Sequence, residues 1–134
     1  MMFFKNNNDN LVKVAALLIH AAKIDQNYST QEEQIIKQTM IEIGVEKENI
    51  KNLMKNAEDL ENNSNQILSF TKEVKKMSDK NKIKIVMSLW KIIYSNKVAD
   101  VYESSLMRRL AGLLYIDNRI MADIKEKIKN ENSK

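Results

Sequence analysis

Two short stretches of this chain hold the residues whose types and spacing could do chemistry. Asp25, Ser29 and Glu32 fall close together in the first, and Asp100 and Glu103 stand three apart in the second. Carboxylates and a hydroxyl at this spacing suit two tasks. They can hold a hard divalent cation such as calcium, which takes roughly six to eight oxygen ligands. They can also cap a helix, where the backbone N–H groups of the first turn lack partners. Asp25, Asn27 and Ser29 fit the first, third and fifth positions of an EF-hand loop. Thr30 then stands where that loop needs glycine, and Ile36 where it needs a bidentate glutamate, so an EF-hand is excluded. A cation site combining Asp25, Ser29, Glu32, Asp100 and Glu103 requires the two loops to meet in space. Capping requires only local geometry: Ser29 with Glu32, and Thr30 with Glu33, each form a capping-box pair, and Asp100 with Glu103 is the acidic version of it.

Little other chemistry is available. The chain has 134 residues with no cysteine, no proline, two glycines and one histidine. Thiolate metal sites, disulfide scaffolds and cysteine nucleophiles are therefore excluded. Phosphate-cradling loops of the Walker or dinucleotide type are excluded as well, because they need several glycines where backbone approaches phosphate. His20 lacks a second histidine for a metal site and has no nucleophile near it in sequence, so it reads as a packed or surface residue. The net charge of +4 comes from lysines spread along the whole chain, with Arg108, Arg109 and Arg119 as the only arginines. Nucleic-acid readers use arginine forks and stacking aromatics, and neither pattern is present, so the charge reads as solvated helix faces. The sixteen asparagines read as compositional drift. No stretch has the length of a signal peptide's apolar core or of a membrane span, which points to a cytoplasmic chain without membrane insertion.

Seven segments with helical spacing must position these residues, and none shows a sustained period of two. Residues 1–9 read as a flexible N-terminus, and residues 10–130 as one helical domain. The first helix runs from about Asn10 to Ile24. The second starts at Ser29 or Thr30 and stops at Gly44, the expected left-handed residue after a helix. A third spans about Lys47 to Glu61, with Ile50, Leu53, Met54, Ala57 and Leu60 inward. The fourth carries Ile67, Phe70, Val74 and Met77. Ser78 caps a fifth, whose Ile83, Ile85, Val86, Leu89, Trp90, Ile92 and Ile93 wrap so much of its circumference that it must be central. Asp100 opens a sixth, which buries Leu106, Met107, Leu110, Leu113 and Leu114. In that helix Gly112 is expected to permit a close crossing, and one of Arg108 and Arg109 to form an ion pair with the acidic loops. The seventh follows Asp117 with Ile120, Ile124 and Ile128. The methionines on these faces read as gap fillers.

Shifting the sequence by 71 residues superposes Leu18 on Leu89, Ser29 on Asp100, Glu32 on Glu103, Ile36 on Met107 and Ile43 on Leu114. This suggests an internal duplication of a helix-loop-helix unit. The carrying stretches are Ala15-Ala16-Leu17-Leu18-Ile19-His20-Ala21-Ala22-Lys23-Ile24-Asp25, running on to Ser29 and Glu32-Glu33, and Leu89-Trp90, continuing through Asp100-Val101-Tyr102-Glu103 to Leu106-Met107-Arg108-Arg109-Leu110-Ala111-Gly112-Leu113-Leu114. In these stretches the chain resembles the tellurite-resistance protein B (TerB) family, whose domain also stands at the front of DjlA-type membrane co-chaperones. Family members carry Asp-Gly in both loops. Here the corresponding pairs are Asp25-Gln26 and Asn96-Lys97, and Val98 replaces a further acidic position.

The resemblance implies an all-α, compact single domain of about seven helices. It also implies a non-enzymatic module that acts through a protein partner, membrane-associated in one version, in a stress or tellurite-resistance setting. If the family's acidic loops hold a cation, the reduced set retained here is Asp25, Ser29, Glu32, Asp100 and Glu103. Two alternatives belong to other classes: a metal-dependent enzyme built on the acidic loops, and a lysine-rich nucleic-acid-binding protein.

Overall fold

The computed structural model describes residues 2–23, 28–63, 67–95 and 101–132, and the side chains of 10–23, 28–63, 67–95 and 105–131 among them. The described residues form seven α-helices and one 3-10 turn, without a strand: α1 (Met2–Ala22), α2 (Thr30–Glu42), the 3-10 turn Lys47–Asn49, α3 (Ile50–Asn62), α4 (Leu68–Lys75), α5 (Asp79–Tyr94), α6 (Val101–Leu113) and α7 (Asn118–Asn132). The all-α reading therefore holds.

Two helices are central, where the sequence singled out one. Val14 through Ile19 of α1 are all buried, and α1 packs against α2, α3, α4 and α5. Alanines at 15, 16, 21 and 22 leave room for neighbours on every side, so α1 is enclosed without the bulky all-round apolar surface that marks α5. In α5, Ile85, Val86, Leu89, Trp90, Ile92 and Ile93 are buried as expected, and the helix packs against α1, α2, α4 and α7. Helix α6 rests on α4.

Three local differences have physical causes. Helix α1 begins at Met2 rather than near Asn10, since neither proline nor glycine interrupts residues 2–9 and the helix continues through its polar run. Ile83 is 37% exposed and Ile120 is 43% exposed, although both fit an apolar spacing. In α7 the buried stripe is Met121, Ile124 and Ile128, one residue out of phase with Ile120.

The helix ends follow the sequence closely. Ser78 caps α5 by accepting the Asn81 N–H at 3.2 Å. Asp117 accepts the Arg119 N–H at 2.7 Å at the start of α7. Helix α2 ends in a Schellman arrangement: the Val45 N–H donates to Met40 O at 3.0 Å and the Gly44 N–H to Ile41 O at 3.1 Å, with Gly44 at φ +123°. Helix α6 repeats this ending, with Ile116 N–H to Ala111 O at 3.0 Å and Tyr115 N–H to Gly112 O at 3.3 Å, and Tyr115 at φ +56°. The offset of 71 thus carries α2 onto α6 end to end, and Gly44 onto Tyr115.

Candidate functional site

The first acidic stretch begins where α1 ends and closes on α2. Ser29 is extended at φ −93°, ψ 164°, and its Oγ accepts the Glu32 N–H at 3.1 Å. The Glu32 Oε1 in turn accepts the Ser29 N–H at 2.8 Å, which completes the capping box. Glu32 is 1% exposed. A carboxylate in that position supplies an acceptor to a helix start and favours the positive end of the helix dipole. Glu33, one residue on, pairs with Lys37 at 2.9 Å.

Of the five residues expected to form a cation site, Ser29 and Glu32 are therefore brought together, and by capping. Asp25 and Asp100 lie outside the described residues. Glu103 lies in α6, and its side chain is also outside them. Among the described residues no three His, Asp or Glu side chains converge to hold a metal ion. The described part of the loop does not by itself fit a divalent cation, and no step of chemistry passes through one here.

Behind the capping box stands Tyr28. Its hydroxyl is buried and has no hydrogen-bond partner among the described residues. Burial, followed by the nearby carboxylates of Glu33, Glu58 and Glu32, holds its phenol well above the ordinary tyrosine range. The group stays protonated at neutral pH and cannot serve as a base.

His20 belongs to a surface ion-pair cluster. Its Nδ1 lies 3.3 Å from Glu61 Oε2, while the Lys23 Nζ donates to Glu61 Oε1 at 2.6 Å and to Asn62 Oδ1 at 2.6 Å. These contacts tie the end of α1 to the end of α3 and engage the Nδ1 of the one imidazole. A second tie is buried: the Thr39 and Ser88 hydroxyls, 2.9 Å apart, join α2 to α5. Trp90 is a core residue, 3% exposed and stacked on Tyr94 with ring centroids 5.8 Å apart. Arg108 and Arg109 are both exposed, and the acidic residues Asp25, Asp100 and Glu103, with which one of them was expected to pair, have side chains outside the described residues. Gly112 permits no helix crossing: a Cβ placed on it would meet nothing within 4 Å, because this side of α6 faces solvent.

A concavity of about 720 Å³ lies elsewhere, between the middle of α1, the α2–α3 turn, α3 and the α4–α5 junction. Its apolar floor is made by Leu11, Val12, Ile43, Val45, Leu53 and Met77. Its polar lining is dominated by the carboxamides of Asn10, Asn49, Asn52, Asn56 and Asn81. None of the five carboxamides is bonded to another described residue. Glu46 is the acid in the lining, and its carboxyl is held above the usual range by the hydrogen bond its protonated form donates to neighbouring Glu48 and by the charge of Glu48. Such a surface offers neutral donors and acceptors over a greasy base, a combination suited to binding.

In the sequence alone these asparagines read as compositional drift. The signal that marks them is the spacing of Asn49, Asn52 and Asn56 around buried Leu53, which sets two amides along one edge of α3 and a third at the 3-10 turn leading into it. The contributions of Asn10 and Asn81 come from distant parts of the chain and depend on the packing.

Neither the curated proteins nor the solved structures compared with this chain gave a match. No helix among the described residues is long and apolar enough to cross a membrane. The family model described as "Tellurite resistance protein TerB" matches residues 11–126, nearly the whole helical domain, and the chain belongs to the TerB family.

Proposed function

We propose that this chain is a non-enzymatic binding module whose partner is a protein. The observation that carries the reading is the lining of its large concavity, where neutral amides stand over aliphatic side chains and no acid is set against a base. Proton transfer needs titratable groups in mutual reach. The described titratable groups of the first loop are engaged otherwise: Glu32 in the capping box, Glu33 in an ion pair, Tyr28 buried as a neutral phenol. A divalent cation is left out of this reading, because Ser29 and Glu32 already satisfy each other's backbone. A membrane-linked partner and a tellurite-resistance or stress setting are what membership of the family suggests.

The test is photo-cross-linking in the native cell, with a photoreactive amino acid placed at Glu46 in the concavity or at Thr30 beside the capped loop. A discrete protein adduct from either position, competed away by excess unlabelled chain, is the expected result. If neither position yields such an adduct, the reading is overturned.

A further inference from the structure

We infer that the concavity beside α3 binds an extended peptide segment of its partner through that segment's backbone. The inference rests on the binding-module reading and specifies what the module holds.

The argument begins with the chemistry of the lining. A carboxamide carries an acceptor oxygen and two N–H donors in one plane, so a single asparagine can accept from the N–H and donate to the C=O of the same peptide residue. In an extended strand those two groups point to the same side, and the next residue's groups point away. Same-side pairs therefore recur every second residue, about 6.6 Å apart. Asn52 and Asn56 are one turn apart on the same edge of α3, and a rise of about 1.5 Å per residue separates them by about 6 Å. The two spacings agree closely enough for consecutive bidentate contacts. A helical ligand would not complement them, because its N–H and C=O groups are consumed internally.

The remaining lining fits the same occupant. Asn49 extends the row beyond Asn52, and Asn10 and Asn81 supply further amides from α1 and α5. Leu11, Val12, Leu53 and Met77 line the same concavity and supply apolar surface for alternate side chains of an extended segment. Five of the thirteen lining residues are asparagine, against sixteen in all 134. The lining is thus richer in asparagine than the chain's general composition accounts for. The recognised feature is an extended backbone with apolar residues at alternate positions.

The test selects a phage-displayed library of random twelve-residue peptides against the full chain and titrates the winning synthetic peptides into isotope-labelled protein by NMR. The expected peptides carry apolar residues two apart, and they shift the side-chain amide signals of Asn49, Asn52 and Asn56. Asn52→Ala and Asn56→Ala, both at exposed helical positions where alanine favours the helix, are expected to weaken binding at least tenfold each while leaving the fold intact. N-methylation of a single peptide backbone amide is expected to weaken binding to the wild type to a similar degree, and to have little further effect on the double variant. Peptides whose affinity ignores both asparagines and N-methylation overturn the inference, as does a carbohydrate array giving binders in this groove where peptides give none. A cellular adduct from Thr30 alone, with none from Glu46, overturns the groove assignment and leaves the binding-module reading standing. The absence of an adduct from both positions removes the two together.

Discussion

The two glycines of this chain should respond to alanine with opposite signs, and backbone geometry alone decides which is which. A Cβ added at Gly44 or at Gly112 would meet nothing within 4 Å, so crowding plays no part at either site. Gly112 has an ordinary helical conformation in the last turns of α6. Alanine there removes the unfolded-state freedom of glycine, which is worth about 0.5–1 kcal/mol of added stability. Gly44 sits at φ +123°, beyond even the usual left-handed well. Forcing an L side chain into such a conformation costs about 1–2 kcal/mol. The same entropic gain offsets roughly 0.4–1 kcal/mol of that, leaving a net loss of about 1 kcal/mol. The two variants should thus differ by about 1.5–2 kcal/mol, or several degrees in Tm for a domain of this size. Urea unfolding with linear extrapolation measures this directly. Both midpoints moving in the same direction would refute the assignment of strain to Gly44 and of free space to Gly112. The repeat supplies an internal control, because Tyr115 occupies the place of Gly44 at φ +56°. Tyr115→Gly relieves strain but gives up the Lys75 ammonium 3.9 Å from the ring centroid, worth about 0.5 kcal/mol at an exposed site. Its midpoint should stay near that of the wild type.

Other expectations follow from the first loop and the core. Ser29→Ala should cost about 1 kcal/mol by releasing the Glu32 N–H, visible as a lower urea midpoint with an unchanged slope. The raised phenol of Tyr28 contributes stability that is present below the unfolded tyrosine value of 10.0 and is lost as pH rises beyond it, since the unfolded chain then sheds a proton that the folded one keeps. Tyr28→Phe should flatten the fall of stability above pH 10 without loss at pH 7, because it also removes an unbonded buried hydroxyl. If the alkaline limbs of variant and wild type superpose, that assignment is wrong. Millimolar calcium or magnesium should leave the Ser29 and Glu32 amide resonances unmoved, because capping already engages both residues. A saturable shift at those amides would restore a cation to the loop. Leu89→Ala, at a fully buried position on α5, should cost about 2–5 kcal/mol, and Ile83→Ala, half in solvent, far less.

Much of the architecture was legible because helix starts and stops are written locally. Ser29 with Glu32, Ser78 and Gly44 lie within a few residues of the groups they satisfy, so their roles survive in the sequence alone. Helical periodicity likewise placed Leu53, Phe70, Leu89, Leu110 and Ile124 in the core. It failed at Ile83 and Ile120, because an apolar residue at a stripe's edge is assigned by its neighbour and not by its own character. It also missed how deeply α1 is enclosed. Small alanines bury completely only when several helices close on them at once, and no periodicity records that. Gly112 was misjudged for the related reason that a glycine in a helix marks either a close crossing or an open face, and only the neighbours distinguish them.

The binding site divides in the same way. Of the residues that first drew attention, Ser29 and Glu32 are explained over short range, by the start of α2, while Asp25, Asp100 and the side chain of Glu103 lie outside the described residues. By itself the sequence determined the helices, their caps, the echo at 71 residues and the family, because each depends on residues near one another or on a pattern along the chain. Only the tertiary structure decided that Asn10, Asn81 and the α3 asparagines share one concavity. Their convergence depends on how α1, α3 and α5 pack, and a polar residue at a helix surface carries no local mark of what will face it.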